Sequence, residues 1–251
     1  MKMKNLTAAG ALLVIGVALT GCGGVIRIGG PDQHDEVTYE VAKVGSLSVE
    51  SGTGDITVTE SNRTGVKVVE TVNWRGDDKP KTQHPLIGDQ LTLSYNCSDT
   101  PWSSCSVSYR IEVPKGLKIK ADSGTGTVTA RDLTGLLEAT TGTGEIEMRN
   151  ISGDLELHTG TGDIKGVELA GKRLTGDVGT GDVDLKYTGA PESIDFSSGA
   201  GDVTVRVPDV TYDVEVKSGT GDDSVRVKSD PSSPRKIVLA TGAGDATVLA
   251  E

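Results

Sequence analysis

Aromatic side chains are scarce in this sequence, with one Phe, two Trp and five Tyr among 251 residues. A core built from it must be thin and aliphatic, and the aromatic platforms on which polysaccharide-cleaving enzymes seat sugars are missing. Histidine is scarcer still: only His34, His84 and His158 occur. No Ser-His-Asp order stands out around them and none is at ligand spacing from a cysteine, which argues against a catalytic triad and against a zinc site. Positive charge is in deficit, with 25 Lys and Arg against 36 Asp and Glu. Such a surface repels nucleic acid and disfavours close contact with anionic lipid. Glycine, by contrast, reaches 34 residues, which implies many tight turns.

The first residues read as an address. Met1 to Asn5 form a short basic leader, and Leu6 to Leu19 is an uncharged apolar stretch too short to span a bilayer comfortably. Leu19-Thr20-Gly21-Cys22 follows and resembles the lipobox of bacterial lipoproteins. That resemblance implies cleavage before Cys22 and diacylglycerol on its thiol. The expected organisation is a signal peptide over 1–21, a lipidated Cys22 with a flexible tether over 22–36, and a β-repeat domain over 37–251. Losing Lys2 and Lys4 leaves 23 basic against 36 acidic side chains, a net of −13. The acyl anchor, not a basic patch, is then the membrane device, and two chains at about 0.8 kcal/mol per buried methylene hold essentially permanently. The expected location is extracytoplasmic, on the cell membrane.

With Cys22 spent on lipid, Cys97 and Cys105 remain as a disulfide pair in an oxidising compartment. A hairpin near 91–113 fits them, since Cys97 opposite Cys105 places Tyr95 opposite Val107, Leu93 opposite Tyr109 and Leu91 opposite Ile111, all on one apolar side.

A four-residue core recurs from Ser51-Gly-Thr-Gly54 to Thr241-Gly-Ala-Gly244, its starts separated by 72, 18, 18, 19, 20, 20 and 23 residues. Apolar or small residues stand four and two places before each start, and five and seven places after it. Leu155, Leu157, Ile164 and Gly166 are one such set; Ile194, Phe196, Val203 and Val205 are another. Alternation on both sides of a glycine corner means two short strands per coil, and a second corner appears at Leu133-Thr-Gly135, Ile151-Ser-Gly153, Leu169-Ala-Gly171 and Tyr187-Thr-Gly189. The pattern predicts an all-β fold, a single-stranded β-solenoid (β-helix) with coils of 18–20 residues, rising about 4.8 Å per coil. A β-sandwich is the alternative, set aside because the repeats stay in phase.

These corners, with Tyr109-Arg-Ile-Glu-Val-Pro-Lys-Gly-Leu-Lys-Ile-Lys-Ala-Asp-Ser-Gly-Thr-Gly126 and every later corner through Gly242-Ala-Gly-Asp245, resemble a bacterial putative-adhesin family built on a domain of unknown function. The likeness covers about Tyr39 to Val248. It carries no agreed catalytic residues, and the sequence departs from the pattern at Thr127, where the corner acid is absent, and at Asp223, where an inward position is charged.

Gly160-Thr-Gly162-Asp-Ile-Lys-Gly166 imitates a dinucleotide fingerprint, but its last spacing is one residue too long and a strand follows where a helix is needed. No catalytic residue and no cofactor is therefore assigned. The function read from sequence is a cell-envelope lipoprotein presenting a non-catalytic β-solenoid for binding or adhesion to a protein or glycan. A structural or envelope-stress-sensing role is the alternative, and a polysaccharide-active enzyme a weaker one. Two surfaces carry specific expectations. The acids after the corners, Asp55, Glu145, Asp163, Asp182, Asp202, Asp222 and Asp245, should line one edge and cap the backbone of their own corners, with weak calcium binding as the competing reading. The last coil, Ala246 to Glu251, should present a free strand edge for self-association.

Overall fold

The computed structural model describes residues 32–76, 79–97 and 104–251. The leader and the Leu19-Thr-Gly-Cys22 box lie outside the described residues. Among those described, every regular element is a β-strand. The amino-terminal part holds β1 (Asp32–Ala42), β2 (Ser46–Thr53), β3 (Ile56–Glu60), β4 (Gly65–Arg75), β5 (Lys81–Gln83), β6 (Leu86–Ile87), β7 (Gln90–Asn96) and β8 (Cys105–Val113). Regular coils follow: β9 (Lys118–Thr125) with β10 (Val128–Arg131), β11 (Leu137–Thr143) with β12 (Ile146–Ile151), β13 (Leu155–Thr161) with β14 (Ile164–Leu169), β15 (Arg173–Thr180) with β16 (Val183–Tyr187), and β17 (Ser193–Ala200) with β18 (Val203–Val207). The chain ends with β19 (Asp213–Thr220), β20 (Asp223–Arg226), β21 (Lys236–Ala243) and β22 (Ala246–Ala250).

Each coil gives one strand to each of two facing sheets, and successive coils pair in parallel, so the fold is a β-solenoid. Leu137 stands beside Leu155 and Leu155 beside Leu174 in the second sheet, while Ile146 stands beside Ile164 in the first. The alternation sends these residues inward, where all are buried. Each such side chain contributes about 1.5 to 3 kcal/mol by leaving water. The single phenylalanine fits by local complementarity. A Cβ on Gly176 would lie 2.8 Å from the Phe196 ring, so only glycine leaves the inward space that the ring fills.

The amino-terminal end departs from this regularity. The first sheet runs β1-β4-β8-β3-β10 and onward, with β1, β4 and β8 antiparallel, whereas β7 extends the second sheet beside β2. Two expectations change here. Residues 32–36, read as tether, begin β1, whose whole length pairs with β4. And β7 and β8 do not form a hairpin: they lie in different sheets and face each other across the core, which buries Leu91, Leu93, Val107, Tyr109 and Ile111. The Cys97–Cys105 disulfide, Cα–Cα 6.0 Å, therefore ties one sheet to the other. Alternation identifies the inward residues correctly under both arrangements, which is why it could not tell them apart.

The carboxyl-terminal end also differs. The coil order in space is β17/β18, then β21/β22, then β19/β20. Strand β22 is paired on both sides, with β18 and with β20, so the free edge belongs to β19 and β20 and not to the last coil. Side-chain chemistry accounts for the exchange. Ile237, Leu239, Ala246 and Val248 are wholly buried between neighbours. Asp223, in register with Ala246 at an inward position, is exposed because no coil lies beyond it. The charged inward residue stands where burial is not demanded.

Candidate functional site: the corner ladder and the groove at its amino-terminal end

The Ser/Thr-Gly-Thr/Ala-Gly-Asp corner is explained position by position. The first residue points inward, and its hydroxyl donates to the carbonyl of the fourth residue of the neighbouring coil: Ser123 to Gly54 at 3.0 Å, Thr141 to Gly126 at 3.1 Å, Thr159 to Gly144 at 3.3 Å and Thr241 to Gly201 at 3.1 Å. These bonds satisfy a carbonyl that would otherwise be buried at the bend. The second residue must be glycine because coils touch there. A Cβ on Gly160 would sit 2.6 Å from the Gly142 carbonyl oxygen. The third residue is exposed and its carbonyl accepts the N–H of the fourth residue one coil away, as Thr161 does from Gly144 at 2.9 Å. The fourth has positive φ, 139° at Gly162, which L side chains rarely adopt.

The fifth position carries the acids. Asp55 accepts the N–H of Thr127 at 2.9 Å, Asp163 that of Asp182 at 3.0 Å, and Asp182 that of Asp202 at 2.9 Å. Asp202 then accepts from Asp245 at 2.8 Å, and Asp245 from Asp222 at 2.9 Å. The carboxylates thus cap backbone, but of the adjacent coil and not of their own corner. Asp163 is held below the usual carboxylate range by the Asp182 N–H and by Lys165. Two positions break the run. Thr127 has no carboxylate to offer Glu145, and Glu145, one methylene longer, turns to Lys165 at 3.3 Å. Asp222 ends it on the free edge. Among the described residues, no group of three or more His, Cys, Asp and Glu side chains could hold a metal ion.

The other feature of chemical interest went unnoticed in the sequence. Tyr39, Trp74, Tyr95 and Tyr109, half of all the aromatics, converge where the solenoid meets β1 and β4. The Tyr95 hydroxyl closes the first coil by accepting from Thr53 N at 2.6 Å and donating to Thr53 O at 2.9 Å. Beside it is a groove of about 430 Å³ lined by Asp32, Gln33, His34, Asn73, Trp74 and Ser106. A second, of about 520 Å³, runs past Glu50, Gly52, Gln83, Tyr95, Asn96 and Asp122. Behind them, Glu70 is 1% exposed. Its Oε1 accepts the Tyr39 hydroxyl at 2.5 Å, while Glu70 Oε2 and Tyr109 Oη have no hydrogen-bond partner among the described residues. Burial, and then Glu70, raise both tyrosines above the usual phenol range. The available signal was Val66-x-Val68-x-Glu70-x-Val72, a carboxylate in an otherwise apolar inward row.

The family model of Toastrack DUF4097 matches residues 37–251. The chain belongs to this family. Solved structures to which the chain is similar include a putative cell adhesion protein from Clostridium sporogenes, at 13% identity over 87% of this chain and 100% of that one, TM-score 0.36. A putative adhesin from Bacteroides fragilis is 17% identical over 87% and 97%, TM-score 0.34, and one from Parabacteroides merdae 12% identical over 86% and 97%, TM-score 0.37. No curated protein matches.

Proposed function

We propose that this Toastrack chain is a lipid-anchored protein of the cell envelope that binds a protein or glycan partner without catalysis, and that the groove beside Trp74 receives that partner. One observation carries the reading: the hydrogen-bonding side chains of His34, Asn73 and Ser106, with Gln33 held to the Gly76 carbonyl beside them, gather around an aromatic residue at that end. The corner acids support a non-catalytic reading, since their carboxylates tie coils together. Aromatic and polar side chains around a concavity are the usual composition of a binding site. The anchor at Cys22 is motivated by the lipobox resemblance. Two measurements test the proposal. Cys22→Ala should accumulate as unprocessed precursor, and normal processing with unchanged membrane fractionation would end the lipoprotein reading. A photo-crosslinker at Asn73 should trap a recurrent envelope component in cells, and the same label at Thr204, outside the groove, should not; equal labelling at both sites would remove the groove from the proposal.

A further inference from the structure

The net negative charge of this chain is not evenly spread. The outward positions of the first sheet from β8 to β20 are set by register: Glu112 and Arg110 on β8, then Thr59, Arg131, Arg149 and Val167 in one row, and Thr57, Thr129, Glu147, Lys165 and Asp184 in the next. Lys186 and Arg206 continue the first row, followed by Leu249 and Arg226. Seven cations (Arg110, Arg131, Arg149, Lys165, Lys186, Arg206 and Arg226) thus share this face with four acids, Glu112, Glu147, Glu168 and Asp184. The corresponding positions of the second sheet show the reverse. Glu50, Asp122, Glu138, Glu156, Asp177, Asp195, Asp213 and Glu215 face outward against Lys118, Lys120, Arg173, Lys217 and Lys236, besides His158. One face is net +3 and the other, with His158 neutral, net −3.

Some of the positive charge is compensated locally. Arg149 pairs with Glu168, Lys165 with Glu145 and Asp163, Lys186 with Glu251 and Arg206 with Asp184. Arg110, Arg131 and Arg226 are exposed and have no ion pair among the described residues. Nine strands at about 4.8 Å spacing make this strip about 40 Å long. Like charges repeated at that spacing repel, so a row of arginines is best stabilised by an extended anionic surface laid against it.

We infer that the outer face of the first sheet docks on an anionic phospholipid bilayer. Charge complementarity selects the occupant, and a sheet face carrying a row of cations suits a plane of headgroups. The lipid-anchored reading supplies proximity: ten residues from Cys22 to Asp32 reach at most about 35 Å, less than the strip itself. Lipidation would then hold the domain near the bilayer, and the two-sided charge would lay it down with the acidic sheet outward. An average over the whole surface, as the sequence alone gives, points the other way.

The test uses residues 32–251, which contain every strand of the described residues and the buried core, so that it does not depend on Cys22. Sedimentation with vesicles of phosphatidylglycerol and phosphatidylcholine in equal parts, at low ionic strength, should show binding that weakens as salt rises. Vesicles of phosphatidylcholine alone should not bind. Replacing the three free arginines together, as Arg110→Gln, Arg131→Gln and Arg226→Gln, should weaken binding about 100-fold, from the usual worth of a cation near such a surface. The pair Lys120→Gln and Lys217→Gln on the opposite face should change it by less than about threefold. Circular dichroism and melting identical to the parent chain establish that each variant is folded. No binding to the anionic vesicles, equal binding to both vesicle types, or full binding by the triple variant would overturn the inference. So would capture by soluble polyphosphate without vesicle binding, which would make a linear polyanion the ligand.

Discussion

The carboxylate of Asp202 accepts the backbone N–H of Asp245, 43 residues further along the chain, and not that of the sequence-adjacent corner residue Asp222. That bond, with the pairing of β22 to both β18 and β20, means that residues 208–235 form an excursion whose coil is laid on last in space although it comes first in sequence.

Removing the excursion should therefore be cheaper than removing the end. Replacing residues 208–235 by a five-residue turn like that at 188–192 should leave a folded chain with β21 and β22 still stacked on β17 and β18. Buried Tyr212 and half-buried Val210, Val214, Val216 and Val227 are lost, at a cost of about 3 to 4 kcal/mol. Stopping the chain after Arg235 instead strips Ile237, Leu239 and Val248 from the core and should cost about 5 kcal/mol or more. Denaturant melts of the two variants check the order, which is the reverse of that expected for coils stacked as they occur in sequence.

The corner ladder offers a repair as well as a lesion. Thr127→Asp would place a carboxylate below the N–H of Glu145 and should raise stability by about 0.5 to 1 kcal/mol, while Asp182→Ala should lower it by about 1 kcal/mol. The pH dependence has a definite sign. Asp163 has a folded pKa below its unfolded value, so its contribution is complete above the unfolded pKa and is lost as pH falls through the folded one. Asp163→Asn should flatten the acid limb of a stability profile taken from neutrality downward; an unchanged limb would mean that the carboxylate contributes nothing.

Much of this fold was legible because alternation and spacing agree. Leu155, Leu157 and Ile164 announce an inward row, and the next coil repeats it nineteen or so residues on, so strands, corners and parallel stacking follow. What alternation cannot carry is the identity of a neighbour. β19 and β21 present the same corner, and only the greater apolarity of Ile237 and Leu239 over Val214 and Val216 places the latter outside. The acids were legible as an edge but not as bonds between coils, because a carboxylate reaching its own corner and one reaching the next leave the same sequence. The groove was invisible for a different reason: Gln33, Asn73 and Ser106 meet only through the antiparallel pairing of β1, β4 and β8.

Reducing the Cys97–Cys105 bond, or replacing both residues by Ser, should cost about 2.5 kcal/mol on the chain-entropy estimate for so short a loop. The location of the loss is more diagnostic than its size. Since the bond joins the two sheets, faster amide hydrogen exchange should appear in both β7 and β8, with β11 to β18 unaffected. Loss confined to one sheet would contradict the cross-sheet tie.

Tyr39 and Glu70 should behave as a unit. The carboxylate is buried with one oxygen on the Tyr39 hydroxyl and the other unpartnered among the described residues, so Tyr39→Phe leaves it without a protein partner. The cost should approach about 3 kcal/mol, more than an ordinary lost hydrogen bond. Glu70→Leu removes the acceptor and strands the Tyr39 hydroxyl, at about 1 to 2 kcal/mol. The double variant removes both polar groups together from a surrounding of Val68, Val72 and Tyr109, and it should recover to within about 1 kcal/mol of the parent. A double-mutant cycle in urea reads the coupling directly. Strict additivity of the two single losses would show that the short contact between these side chains contributes no specific stability.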